Sequence, residues 1–86
     1  MRVKLVYAGR HYDATQSWPP WLELPDGSSL DEAISALAAL LPAGQSLPPS
    51  CLLSVSTVHL GTVGSHRPVT LRNGDELMLI TPVAGG

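Results

Sequence analysis

The stretch LRNGDELMLITPVAGG, residues Leu71 to Gly86, decides how the rest of the chain is read. Asn73-Gly74 is a tight-turn dipeptide, and Asp75-Glu76 beside it fits turn formation better than an acidic active site. ELMLIT then predicts a last strand, with Leu77, Leu79 and Thr81 on one face and Met78 and Ile80 on the other. Apolar residues on both faces predict a strand covered on both sides, hence one in the middle of a sheet. Pro82 stiffens the chain where it leaves that strand, and Val83, Ala84, Gly85 and Gly86 follow.

Working outward, VKLVYA (Val3–Ala8) predicts a first strand, rich in β-branched and aromatic residues. Residues 9–16 are polar and read as a loop. Pro19-Pro20 excludes a central strand at SWPPW, and WLELP then alternates as a second strand. Pro25-Asp26-Gly27 marks a turn. Ser29 and Glu32 stand at capping-box spacing, and Asp31 and Glu32 place negative charge at a helix start. Leu30, Ala33, Ile34, Leu37 and Leu41 form one apolar stripe, with Pro42 and Gly44 as stop signals, so a helix is expected over Leu30–Leu41. After a Pro48-Pro49 loop, CLLSVSTVHL reads as a single strand. Gly61 to His66 reads as a turn, and PVTL as a short strand or extended segment. One helix against a mixed sheet of four to five strands makes a two-layer α+β domain.

Composition narrows the function. Eighty-six residues make one domain with a modest core. Seven acidic and five basic side chains leave a formal charge of −2, which gives no electrostatic footprint for nucleic acid or an anionic membrane. No apolar run is long enough to span a membrane, and the N-terminal run is too short for a signal peptide. The single cysteine, Cys51, excludes an internal disulfide and points to a reducing, cytoplasmic setting.

The side chains do not assemble an enzyme. His11, His59 and His66 show no metal-ligand spacing with Cys51 or with one another. Cys51 opens an apolar strand and fits a small buried hydrophobe better than a reactive thiol. No nucleophile elbow, P-loop or dinucleotide fingerprint occurs. Trp18 and Trp21 could anchor a partner, but the plainer expectation is that they close the open end of a small core.

The tail remains. Two terminal glycines arise by chance roughly once in 200 chains, given glycine's average frequency. Glycines let other groups approach the backbone closely. The five residues Pro82–Gly86 extend roughly 17 Å. Such a tail can thread a narrow channel and bring the α-carboxylate of Gly86 into another protein's active site.

With the LRNGDEL turn, the apolar last strand and the ending Pro82-Val83-Ala84-Gly85-Gly86, the sequence resembles the β-grasp, ubiquitin-like sulfur carriers. It is most similar to the small subunit of molybdopterin synthase. Three places depart from that pattern. Thr81 stands where the family often has a first proline, Ser56 stands at an asparagine position, and AGRHYDAT is only loosely family-like.

The resemblance implies a β-grasp domain at 1–81 and a flexible tail at 82–86. It implies no bound cofactor and no catalysis by the chain alone. A ubiquitin-activating-type adenylating enzyme would use ATP to activate the Gly86 carboxylate, and sulfur would displace AMP to leave a thiocarboxylate. A large synthase subunit would accept Pro82, Val83, Ala84 and Gly85 in a channel and pass the sulfur to a pterin precursor. The same tail also admits a protein modifier conjugated through Gly86, or a carrier for thiamine or tRNA thiolation. A plain binding module with an incidental tail is the remaining alternative.

Overall fold

Ser29 starts the helix in the way its spacing predicts. Its hydroxyl accepts a hydrogen bond from the Glu32 amide at 3.1 Å, and the Glu32 carboxylate accepts from the Ser29 amide at 3.5 Å. Two donors that the first turn would leave unpaired are thereby satisfied. The computed structural model describes residues 1–8, 19–40 and 47–80, and the helix, α1, spans Leu30–Ala39 within them. Leu30, Ala33 and Leu37 are fully buried and Ile34 half-buried, as the apolar stripe requires. Leu41, Pro42 and Gly44 lie outside the described residues.

The strands are β1 (Arg2–Ala8), β2 (Trp21–Glu23), β3 (Leu52–Val55), β4 (Val58–Thr62) and β5 (Glu76–Ile80). They form one five-stranded sheet in the order β2-β1-β5-β3-β4. β1 and β5 are parallel, and the other three pairings are antiparallel. One helix lying on a mixed sheet whose last strand is central is the β-grasp arrangement. The core is the apolar layer that α1 shares with Val3, Leu53, Leu77 and Leu79, all fully buried, with Leu22, Leu24, Leu60 and Leu71 around it.

The structure corrects three expectations. CLLSVSTVHL is two strands rather than one. The chain reverses at Ser56 and Thr57, whose φ angles are +46° and +74°. Positive φ at both central residues is the geometry of a two-residue hairpin turn. The turn is fastened to the one before β5. The Ser56 hydroxyl donates to Asp75 Oδ1 at 2.8 Å, and the Ser56 amide donates to the Glu76 carbonyl at 2.7 Å.

Gly61 belongs to β4 rather than to a turn. It has φ +125°, and a Cβ there would run into the Ser65 carbonyl oxygen. The turn proper follows Thr62. PVTL contributes only an isolated bridge between Thr70 and Ser29.

β5 is central, as its composition predicts, but among the described residues α1 covers only one of its faces. Leu77 and Leu79 are fully buried beneath α1, whereas Met78 and Ile80 on the opposite face are half-buried. Neighbouring side chains cover part of that second face, and no layer packs on it among the described residues.

Candidate functional site

The tail residues Pro82, Val83, Ala84, Gly85 and Gly86 lie outside the described residues, as do Thr81, His11 and Trp18. What the structure defines is the root from which the tail departs. Ile80, the last residue of β5, pairs with Ala8 of β1 on one side and with Leu52 of β3 on the other. The chain therefore reaches residue 80 in the middle of the sheet, held by a ladder on both edges. Leu52 in turn pairs with Thr62 of β4, so Ala8, Ile80, Leu52 and Thr62 form one row across the sheet end.

Strand alternation assigns the residues of the open face. In the row next to the tail root stand Ile80 and Leu52. In the following row stand Val6 and Met78, with Ser54 and His59 beside them. Val6, Leu52, Met78 and Ile80 are all half-buried. Farther from the root the same face becomes charged, with Lys4 opposite Glu76 and Arg2 opposite Glu23. Arg2 Nε donates to Glu23 Oε1 at 2.9 Å, and the Arg2 guanidinium lies 5.6 Å from the centre of the Trp21 ring. The open face thus carries a short apolar stripe that leads to Ile80, bounded at its far end by charged residues and the Arg2–Glu23 ion pair.

Trp21 sits on this face at the sheet edge and is 39% exposed. It does not close the core, contrary to expectation. β2 points Leu22 inward and Trp21 and Glu23 outward, so the outer placement follows from alternation.

Cys51 is fully buried beside the start of β3. Burial pushes its thiol pKa upward, and a backbone hydrogen bond at Ile80 opposes part of that effect. A thiol kept protonated and out of reach of solvent is packing, as its apolar surroundings predict.

His59 and His66 do not converge. His59 is exposed on β4, and its carbonyl accepts from Arg67 at 3.2 Å. His66 pairs instead with Asp31 at the start of α1, at 2.6 Å. Its spacing from Asp31 gave no signal in the sequence, because 35 residues separate them. Among the described residues no group of three or more His, Cys, Asp or Glu could hold a metal ion, and no helix is long and apolar enough to cross a membrane.

A groove of about 280 Å³ lies between the β3–β4 hairpin and the segment before β5, with Val55, Leu60 and Val69 below Arg72 and Asp75. It adjoins the beginning of β5 and is therefore at the opposite end of the sheet from the tail root. Asp75 is committed to the turn, accepting from the Arg72 amide at 2.8 Å and from Ser56.

Over all 86 residues the chain is 24% identical to the molybdopterin synthase sulfur carrier subunit of Chlamydomonas reinhardtii, and the match covers 100% of both chains. No family model and no solved structure matches the chain significantly. The full-length likeness supports the resemblance to the small subunit of molybdopterin synthase.

Proposed function

We propose that the chain is a sulfur carrier that acts through the α-carboxylate of Gly86. The observation that carries this reading is the full-length match to a sulfur carrier subunit, on a fold whose central strand leads directly into Pro82-Val83-Ala84-Gly85-Gly86.

The chemistry requires partners. A carboxylate is a poor electrophile until it carries a leaving group. In an adenylating enzyme, a Gly86 carboxylate oxygen attacks the α-phosphorus of ATP and releases pyrophosphate. Sulfide then attacks the acyl carbon and displaces AMP, which leaves a thiocarboxylate. The large subunit of a molybdopterin synthase accepts the tail, and the sulfur passes to a pterin precursor. Gly85 and Gly86 fit a channel too narrow for side chains. ATP is the adenylating enzyme's substrate, and the carrier itself holds no cofactor. The half-buried stripe of Val6, Met78, Ile80 and Leu52 meets the tail at its root, and it offers the large subunit an apolar seat continuous with the tail. The single buried thiol suits a cytoplasmic setting.

The deciding experiment is mass spectrometry of the intact protein after incubation with an adenylating enzyme of this class, ATP and a sulfur source. An oxygen-to-sulfur mass change confined to Gly86, and lost when Gly86 is deleted, is expected. Covalent adducts to lysines of other proteins, with no sulfur gained at the terminus, would favour a protein modifier instead.

A further inference from the structure

His66 lies in the turn that follows β4, and its side chain is only 10% exposed. Both ring nitrogens face acceptors. Nδ1 is 2.8 Å from the Thr62 carbonyl oxygen, and Nε2 is 2.6 Å from Asp31 Oδ1. A neutral imidazole has one N–H, so one of its nitrogens would present a lone pair to an acceptor at bonding distance. Only the imidazolium donates at both positions.

We infer that His66 is held as an imidazolium that clamps the turn after β4 to the N-terminus of α1, and that loss of its proton releases the clamp. The inference is independent of the sulfur-carrier reading.

The surroundings of the ring bear this out. Asp31, from the first turn of α1, is the charged group that meets the ring. Glu32 beside it is committed to the helix cap, and Arg67 turns its guanidinium to the His59 carbonyl. From the turn itself the ring faces only backbone, at Thr62 and Val63. Burial disfavours the charged ring, but the Asp31 bond, the backbone acceptors and the Asp31 charge outweigh it, and the His66 pKa rises above its ordinary value.

The turn has a second set of attachments that do not titrate. The Val63 amide donates to the Cys51 carbonyl at 2.8 Å, and the Gly64 amide donates to the Pro49 carbonyl at 2.9 Å. His66 supplies the link to the helix. Thr62, which the ring also grips, lies in the same cross-sheet row as Ile80, so the titrating element sits two strands from the tail root.

The sign of the pH effect follows. Below the unfolded histidine pKa of about 6.5, both folded and unfolded states carry the proton, and the clamp contributes fully. As pH rises through the higher folded value, that contribution is lost. The test is NMR of the imidazole nitrogens combined with amide hydrogen exchange, in the wild type and in Asp31→Asn. Asp31 is exposed, so its substitution leaves the core intact.

Two protonated ring nitrogens at pH 6.5 are expected, with a midpoint that falls in Asp31→Asn as the ring loses its charged acceptor. Exchange at Arg67, whose amide donates to the Leu60 carbonyl, should accelerate beyond the intrinsic pH trend as His66 loses its proton, while exchange at Leu77 does not. His66→Gln should abolish this extra pH dependence. A single neutral tautomer at pH 6.5, a midpoint unchanged in Asp31→Asn, or Arg67 exchange that ignores the titration would each overturn the inference.

Discussion

Ile80 and Leu52 stand opposite each other across β5 and β3, where the apolar stripe of the open sheet face reaches the tail root. The pair makes the last described step before the tail an apolar one. A partner that takes the tail therefore meets apolar surface before it meets the glycines. Three predictions concern this site and the strands that build it.

Met78→Lys should separate docking from folding. Met78 is half-buried on the open face, between Val6 and Ser54, and α1 does not touch that face. A charge there should weaken association with the large synthase subunit by about 2 kcal/mol, roughly thirty-fold in Kd. The unfolding midpoint should shift little, because no fully buried contact is removed. Titration calorimetry beside urea unfolding reads both quantities, and unchanged affinity would remove the stripe from the proposed interface.

Thr57→Gly should stabilise the protein. A β-branched residue at φ +74° is strained by roughly 1–2 kcal/mol, while glycine there costs roughly 0.5–1 kcal/mol through the unfolded chain. The expected net gain is about 0.5 kcal/mol, read as a higher urea midpoint with an unchanged slope. Ser56 should be left in place, since its hydroxyl ties the hairpin to Asp75.

Cys51 should resist alkylation in the folded state. It is fully buried and its thiol pKa is pushed upward, so little thiolate is available to a reagent. Iodoacetamide labelling should track the fraction unfolded in a urea series. The same shift has a consequence at high pH. The thiol ionises more readily in the unfolded chain, so stability should fall as pH rises from the unfolded thiol value through the folded one. Rapid labelling in native buffer would show instead that the site opens locally.

How much of this was legible in the sequence depended on whether the signal was local. The helix was, because Ser29, Glu32 and the Leu30–Leu37 stripe carry a cap and a period within one segment. The central place of β5 was too, since Leu77 and Leu79 alternate with Met78 and Ile80 and leave no polar face. The β3–β4 hairpin was not. Its turn residues are Ser56 and Thr57, where an Asn-Gly pair would have announced positive φ, and tertiary hydrogen bonds to Asp75 and Glu76 hold the turn instead. The outward placement of Trp21 and the meeting of His66 with Asp31 depend on which face α1 covers, which no local pattern records. For the site itself, the tail residues were readable as a motif, while the apolar stripe at their root emerged only when β1, β3 and β5 were placed side by side.

The parallel pairing of β1 with β5 also governs the order in which the molecule can be made. Lys4 pairs with Glu76, so the first strand to be synthesised waits for the last before its inner edge is satisfied. The β3–β4 hairpin and α1 can form from neighbouring residues, but closing so long a loop is slow. Insertion of β5 between β1 and β3 completes the sheet, and it also fixes residue 80 at the sheet end. Completion of the sheet and placement of residue 80 at its end are therefore a single step.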